Sequence, residues 1–389
     1  MNPPAARVSL RDRTVEDLFG LLRQRPGMTR TELVEASGMP RSSVIYAVGR
    51  MIREGRVTEG ARDPGSAAGG GRPASGLYPV LTGDPVAGID FGHRHIAVAI
   101  ADALGNELAS SSCQFDVDLD AEQAMCRAET MLRSLMTDQG VDRLTRVVAG
   151  IPGPVDSSTG LVRSPTILSG WVGRSPAAEL SERLGAEVTV ENDAVLGAYG
   201  EHMRGAGRAH DHILYMKASD GIGAAMVLNG MTYTGSNGLA GEIGHTRIAN
   251  SSDLCRCGSR GCLEAVVSLR TVKLQLELAH PGCDFDSLED LHLDDPVTER
   301  IFEEAGRTMG RVFSDLCNLV NPSILILGGA LGCAHPALVD GVKRSIDRFA
   351  QPATAENVTV VQAQLGVHAE LQGAIAMASV LAANLPAHR

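Results

Sequence analysis

Two segments of the chain share one pattern, and that pattern limits the fold more than any other feature. VAGIDFGHRHIAVAIADALGN (86–106) and ILYMKASDGIGAAMVLNG (213–230) each run apolar strand, turn with Asp and Gly, apolar strand, turn. In both turns glycine lets backbone N–H groups face a phosphate with no side chain in the way. Such a unit repeated in two halves predicts two related α/β lobes with a cleft between them. The length, 389 residues, suits two or three domains, and 44% hydrophobic with 21% charged residues is ordinary globular composition.

The stretch VTVENDAVLGAYGEH (188–202) predicts a strand followed by a helix opened by Asn192 and Asp193. An aspartate there is either a cap held by the helix dipole or a ligand-binding group. The second reading follows because ligand residues collect at the C-terminal ends of strands in α/β folds. A carboxylate so placed can accept the proton of a sugar hydroxyl as it attacks a phosphate. GIPGPVD (150–156), GWVG (170–173) and GSNGLAGEIGH (235–245) add glycine turns and a further acid, Glu242.

LCRCGSRGCLE (254–264) places Cys255, Cys257 and Cys262 within eight positions. The N-terminus has no apolar core ending in a cleavage site, and no run of about 18 apolar residues occurs, so the chain is expected to be cytoplasmic with no membrane partner. In that compartment thiols stay reduced and clustered cysteines favour a metal over a disulfide. Three thiolates leave a tetrahedral zinc one ligand short. His245, in GEIGH, supplies the fourth if the intervening TRIANSSDL forms a strand and turn. The expectation is a Cys3His structural Zn2+ with no open position for an activated water. Cys113, Cys126, Cys283, Cys317 and Cys333 are scattered and read as free thiols.

Charge is unevenly distributed. Residues 1–80 hold 12 Arg and no Lys against 8 Asp and Glu, a balance of +4, whereas the remainder holds 23 basic against 38 acidic residues, −15. A basic head on an acidic body points to a head that meets phosphate. Within it, TVEDLFGLLRQRP (14–26) has helical spacing, followed by helices over about 30–36 and 41–54 with Gly38 and Pro40 between them. This is the helix-turn-helix arrangement, whose second helix enters the major groove. Arg41, Ser42, Ser43 and Tyr46 then face base edges and phosphates, with Arg50 and Arg53 farther along. Two short strands, near 56–60 and 76–81, read as a wing whose loop carries Arg62 and Arg72 toward a minor groove. A protein-interaction or dimerisation module is the alternative for this head.

ENDAVLGAYGE, GLAGEIGHTRI, CRCGSRGCLE and NPSILILGGAL (321–331) resemble the signatures of the ROK family of repressors, open reading frames and kinases, from about residue 84 to the C-terminus. The resemblance implies an α/β, two-lobed actin-like (ribonuclease-H-like) ROK domain preceded by a winged helix-turn-helix domain. The expected boundaries are 1–82 for the head, 83–200 plus 369–389 for the first lobe and 201–368 for the second lobe with its zinc knuckle. Carried over by position, Asn192, Asp193, Glu242, His245 and Glu264 bind a hexose, and Asp193 is the base in kinases of the family. His245 would do so while one ring nitrogen ligates zinc, so the ion would orient a sugar-reading histidine.

Two loops depart from the kinase pattern. Where family kinases resemble DxGGTK, this chain has Asp90-Phe91-Gly92-His93-Arg94-His95, and where they resemble GTGxGGG it has Ser219-Asp220-Gly221-Ile222-Gly223-Ala224-Ala225. Phe91 and His93 are bulky beside a triphosphate, and the Asp220 carboxylate opposes it electrostatically. Arg94 either pairs with Asp220 or binds a phosphorylated sugar. The expected protein is a sugar-responsive repressor of carbohydrate-utilisation genes, with no catalytic residue. It would take a sugar or sugar phosphate as effector and bind palindromic operator DNA as a homodimer or homotetramer. The alternative is an active, glucokinase-like hexose kinase with a DNA-binding head, using Mg-ATP and Asp193. The alanine-rich helix over 369–383 is expected to return onto the first lobe or to meet another subunit.

Overall fold

The structure, a computed structural model, describes residues 14–15, 18–22, 25, 27–60, 75–79, 84–156, 159–163, 168–283, 285, 288 and 295–383. The chain divides into two compact units, Met1–Gly83 and Asp84–Arg389.

In the first unit, residues 14–15 and 18–22 are helical and bury Val15, Leu18, Phe19 and Leu22. Helix α1 (Arg30–Ser37) starts at a reciprocal cap in which Thr29 Oγ1 accepts from Glu32 N and Glu32 Oε2 accepts from Thr29 N. It stops at Gly38, whose φ of 63° is open to glycine at little cost. Pro40 then opens α2 (Arg41–Arg53), which buries Val44, Ala47, Val48 and Met51 at helical spacing. Strands β1 (Val57–Gly60) and β2 (Gly76–Pro79) pair antiparallel from Val57↔Pro79 to Gly60↔Gly76. The wing strands therefore match their sequence expectation, while Arg62 and Arg72 lie outside the described residues.

The second unit holds two five-stranded sheets of the same design. The first is ordered β5-β4-β3-β6-β7, built from β3 (Val86–Phe91), β4 (His95–Ala101), β5 (Glu107–Gln114), β6 (Arg146–Ile151) and β7 (Glu187–Asn192). The second is ordered β10-β9-β8-β11-β12, from β8 (Ile213–Ala218), β9 (Ile222–Leu228), β10 (Met231–Tyr233), β11 (Ile324–Gly328) and β12 (Thr359–Gln362). In each, three antiparallel strands are extended by two parallel ones on the far side of the first. The duplicated sequence unit is thus β3-turn-β4 in one sheet and β8-turn-β9 in the other.

Helices α3 (Ala121–Gln139) and α4 (Pro176–Leu184) contribute to the core on one face of the first sheet. On the second sheet α7 (Leu269–Ala279), α8 (Pro296–Val320) and α10 (Pro336–Phe349) do the same, with the short α6 (Leu263–Val266), α9 (Gly329–Gly332) and α11 (Pro352–Asn357) between strands.

Helices α5 (Asp193–Arg204) and α12 (Ala369–Ala383) each contribute to the cores of both sheets. Leu196 packs with Val86 and Val148 of the first sheet, and Ala194 and Ala198 with Ile213 and Tyr215 of the second. The two helices touch backbone to backbone: a Cβ on Gly200 would lie 2.4 Å from Ala369 O, and one on Gly373 1.9 Å from Leu196 O. The C-terminal helix therefore returns onto the first sheet as well as onto α5. Among the described residues no helix is long and apolar enough to cross a membrane.

Candidate functional site

Residues 246–262 fold into a knuckle. The strand expected in TRIANSSDL is reduced to single bridges, Arg247↔Cys262 and Leu254↔Arg260. Asn250, Gly258 and Gly261 take φ values of 64°, 87° and 75°, and such left-handed residues every few positions prevent a continuous ladder. The outcome brings the four expected ligands together. One donor atom each from His245, Cys255, Cys257 and Cys262 lies within 4.8 Å of the others. Cys257 and Cys262 sulfurs are 3.7 Å apart, and Cys255 Sγ is 3.8 Å from His245 Nδ1. Those separations fit the edges of a tetrahedron around one ion, which at ordinary metal–sulfur lengths are about 3.8 Å. The cluster can hold a metal ion.

His245 ends a tight turn, Ile243–His245, with Nδ1 toward the sulfurs and Nε2 3.8 Å from Glu242 Oε2. His245 also lines a cleft with a volume of about 90 Å³. Asn192, Asp193, Glu242, His245 and Glu264 all line it. Glu264 is buried, and its Oε2 accepts a 3.2 Å bond from Ile222 N in the second loop. Asn192 is the true cap of α5: Oδ1 accepts from Ala194 N at 2.9 Å and Val195 N at 3.3 Å, and Nδ2 donates to Gly153 O at 3.2 Å. Asp193 shares this end of the helix, its Oδ1 accepting from Ala194 N at 2.7 Å, and its Oδ2 points elsewhere.

It points at Lys217. Nζ of Lys217, on β8, donates to Asp193 Oδ2 at 2.8 Å and lies 3.6 Å from Glu370 Oε1. Burial opposes the ammonium, but the carboxylates of Asp193, Glu370 and Asp90 outweigh it and raise the Lys217 pKa above the usual 10.5. Burial pushes Glu370 upward. Asp90 Oδ2 accepts from His95 Nε2 at 2.9 Å. Burial lowers His95, but the hydrogen bond to Asp90 together with the negative charges of Asp90 and Glu370 outweighs it, so its pKa is raised. Sequence reading missed Lys217 and Glu370. The available signal was a single lysine in the otherwise apolar strand ILYMKA.

The two loops differ from expectation in part. Phe91 does not enter the cleft: it is fully buried, edge-on to Trp171 with ring centroids 5.2 Å apart. Strand alternation puts it on the side opposite Asp90. His93 and Asp220 do line the cleft. His93 Nδ1 meets Asp118 Oδ1 at 2.6 Å, and Asp118 Oδ2 accepts from Arg256 Nη1, in the knuckle, at 3.3 Å. Arg94 is exposed, and among the described residues no ion pair joins it to Asp220.

In the head, Arg41, Ser42 and Tyr46 form an exposed face on α2, joined by Ile45, which sequence reading passed over. Ser43 is half-buried. Arg50 Nε donates to Glu54 Oε1 at 2.7 Å, so this arginine already has an acidic partner one turn along.

Residues 11–58 match the winged helix-turn-helix DNA-binding family, and residues 86–380 match the ROK family. The xylose repressor of Bacillus subtilis is 27% identical over 363 residues, 91% of each chain. A glucokinase of Thermotoga maritima is 28% identical over 304 residues, covering 74% of this chain and 95% of its own. Among solved structures, a ROK family transcriptional regulator homologous to the Escherichia coli MLC protein superposes with a TM-score of 0.74 at 23% identity, over 96% of this chain and 97% of that one. A ROK family glucokinase from Streptomyces griseus, in complex with glucose and AMPPNP, gives 0.66 at 28% identity over 76% and 99%. With two sheets of one design, a cleft and a Cys3His cluster following the winged head in sequence, the chain belongs to the ROK family.

Proposed function

We propose that the protein is a sugar-responsive transcriptional repressor whose head binds operator DNA and whose cleft binds a sugar or sugar phosphate without transferring phosphate. The observation that carries it is the head itself. The repressor relative aligns across head and body, whereas the glucokinase relative covers 74% of the chain. The exposed Arg41, Ser42 and Tyr46 face supports DNA contact. In this reading His245, Cys255, Cys257 and Cys262 hold a structural Zn2+, which braces the knuckle and aims His245 Nε2 at sugar hydroxyls. Asn192, Asp193, Glu242 and Glu264 complete the hydroxyl-binding set. The protein acts in the cytoplasm, as a homodimer or homotetramer on a palindromic site. The first lobe comprises 83–200 with 369–389 and the second 201–368.

The test is selection of an operator from random duplexes, followed by fluorescence anisotropy with a panel of hexoses, pentoses, amino sugars and their phosphates. A sugar that shifts operator affinity supports the proposal. Glu242→Ala is expected to abolish that shift while leaving affinity for DNA near wild type. Failure to enrich any duplex would refute it.

A second reading, an ATP-dependent hexose kinase, is favoured by the glucokinase relatives at similar identity and by Asp193 lining the cleft. Mass spectrometry of sugar products with Mg-ATP, using Asp193→Asn as control, decides it.

A further inference from the structure

Three buried carboxylates from three separate elements surround Lys217, which lines the cleft: Asp90 on β3, Asp193 at the start of α5 and Glu370 in the first turn of α12, at 2%, 7% and 2% exposure. Asp90 Oδ1 is buried with no hydrogen-bond partner among the described residues. Such a group of buried acids needs positive charge nearby. In phosphoryl-transfer sites a divalent metal held by carboxylates supplies it and bridges the phosphates. Here a side chain does. Lys217 and Tyr215 lie two apart on β8, hence on one face of the strand. The Tyr215 hydroxyl donates to Glu370 Oε1 at 3.1 Å, and the Lys217 ammonium reaches both Asp193 and Glu370. The register places Gly223 and Gly328 beside Lys217, so neither neighbouring strand puts a side chain there.

We propose that Lys217 is the resident cation of this cleft: its ammonium takes the place of a divalent metal among Asp90, Asp193 and Glu370 and holds Asp193 as a hydrogen-bond acceptor. The site thereby reads hydroxyl groups and rejects a metal–nucleotide. Lys217 acts through Asp193 and is a specificity-determining positioning residue. The inference rests on the reading of the cleft as a sugar site without phosphoryl transfer, and it goes further by locating the exclusion of metal in one side chain on the opposite lobe from Asp90. Asp193 Oδ2 is occupied by the ammonium and Oδ1 accepts from Ala194 N at 2.7 Å, so a sugar hydroxyl meets a carboxylate whose oxygens are both already engaged.

The experiment is a Mn2+ titration followed by electron paramagnetic resonance, using full-length zinc-loaded wild type, Lys217→Met, Lys217→Arg and Lys217→Met/Asp193→Asn. Methionine keeps the length of the side chain and removes the charge, whereas arginine keeps the charge. Lys217→Met is expected to take up one Mn2+ at least about tenfold more tightly than wild type, since removing the ammonium leaves Asp193 and Glu370 without the cation that pairs with both. Wild type, Lys217→Arg and the double variant are expected to take up none at the same concentration. If methionine prevents folding, Lys217→Gln makes the same comparison. A folded, uncharged variant that binds Mn2+ no better than wild type overturns the inference. A wild-type protein whose operator affinity ignores every sugar overturns the sensor reading instead, so the two failures are distinct.

Discussion

Gly373→Ala should uncouple the two lobes from the helices that join them. The added methyl would stand 1.9 Å from Leu196 O, 2.6 Å from Leu196 C and 3.0 Å from Gly200 N, all backbone atoms of α5. Ordinary contact begins at 3.4 Å, so the closest approach is short by 1.5 Å and no side-chain rotation relieves it. Helix α12 must shift by about that distance, against Ala374 and Ile375, which pack so close to β3 that a Cβ on Gly88 would lie 3.1 Å from each. Overpacking of a well-packed core costs about 1–3 kcal/mol, and a clash with backbone belongs at the upper end, near 3 kcal/mol. For a unit of this size about 2–4 °C is lost per kcal/mol, which predicts a Tm lower by about 6–12 °C. The shift also moves Glu370, one turn from Gly373, away from Lys217, so the sugar response should weaken with stability. Differential scanning calorimetry and the anisotropy titration measure both. A Tm within about 2 °C of wild type, with the sugar response intact, would refute the claim that α5 and α12 form a rigid joint.

Three further outcomes follow from the same structure. Stripping the metal with a chelator, or Cys257→Ser, should release one ion per chain by elemental analysis and abolish the sugar effect while the head still binds DNA. Arg41→Ala should reduce the slope of log affinity against log salt by about 1 if its guanidinium meets a phosphate, and an unchanged slope would remove it from the interface. The Asp90–His95 pair sets a pH window. Burial raises Asp90, but the His95 hydrogen bond and nearby cations leave it below 3.8, so its contribution is lost as pH falls through that depressed value. His95 lies above its ordinary 6.5, so its contribution is complete below 6.5 and is lost as pH rises through the raised value. His95→Asn should flatten the upper limb of a Tm-against-pH curve, and an unchanged limb would show that the pair is not coupled to folding.

Much of the site was legible because its parts are local. The C-x-C-x4-C spacing and a histidine ten residues upstream pointed to a cluster able to hold a metal, and left-handed turns at Asn250, Gly258 and Gly261 bring its four donors together without the strand that was expected. Asn192 and Asp193 were correctly placed at a strand–helix junction, but which of them caps α5 depended on side-chain geometry that a pair of adjacent polar letters does not specify. Phe91 was misread as an obstacle in the cleft, since the distinction between facing the cleft and facing Trp171 is a matter of strand phase relative to the packed sheet.

The sequence by itself determined the duplicated strand-turn-strand units, the winged head and the four residues of the His/Cys cluster, all of which are written in spacings of a few residues. Only the tertiary structure decided what the turns of those units face. Lys217 meets Glu370 from more than 150 positions away, and Asp118 meets Arg256 across the two lobes. Contacts of that kind depend on how two sheets pack around α5 and α12, and no local periodicity encodes the distance between charges brought together in this way.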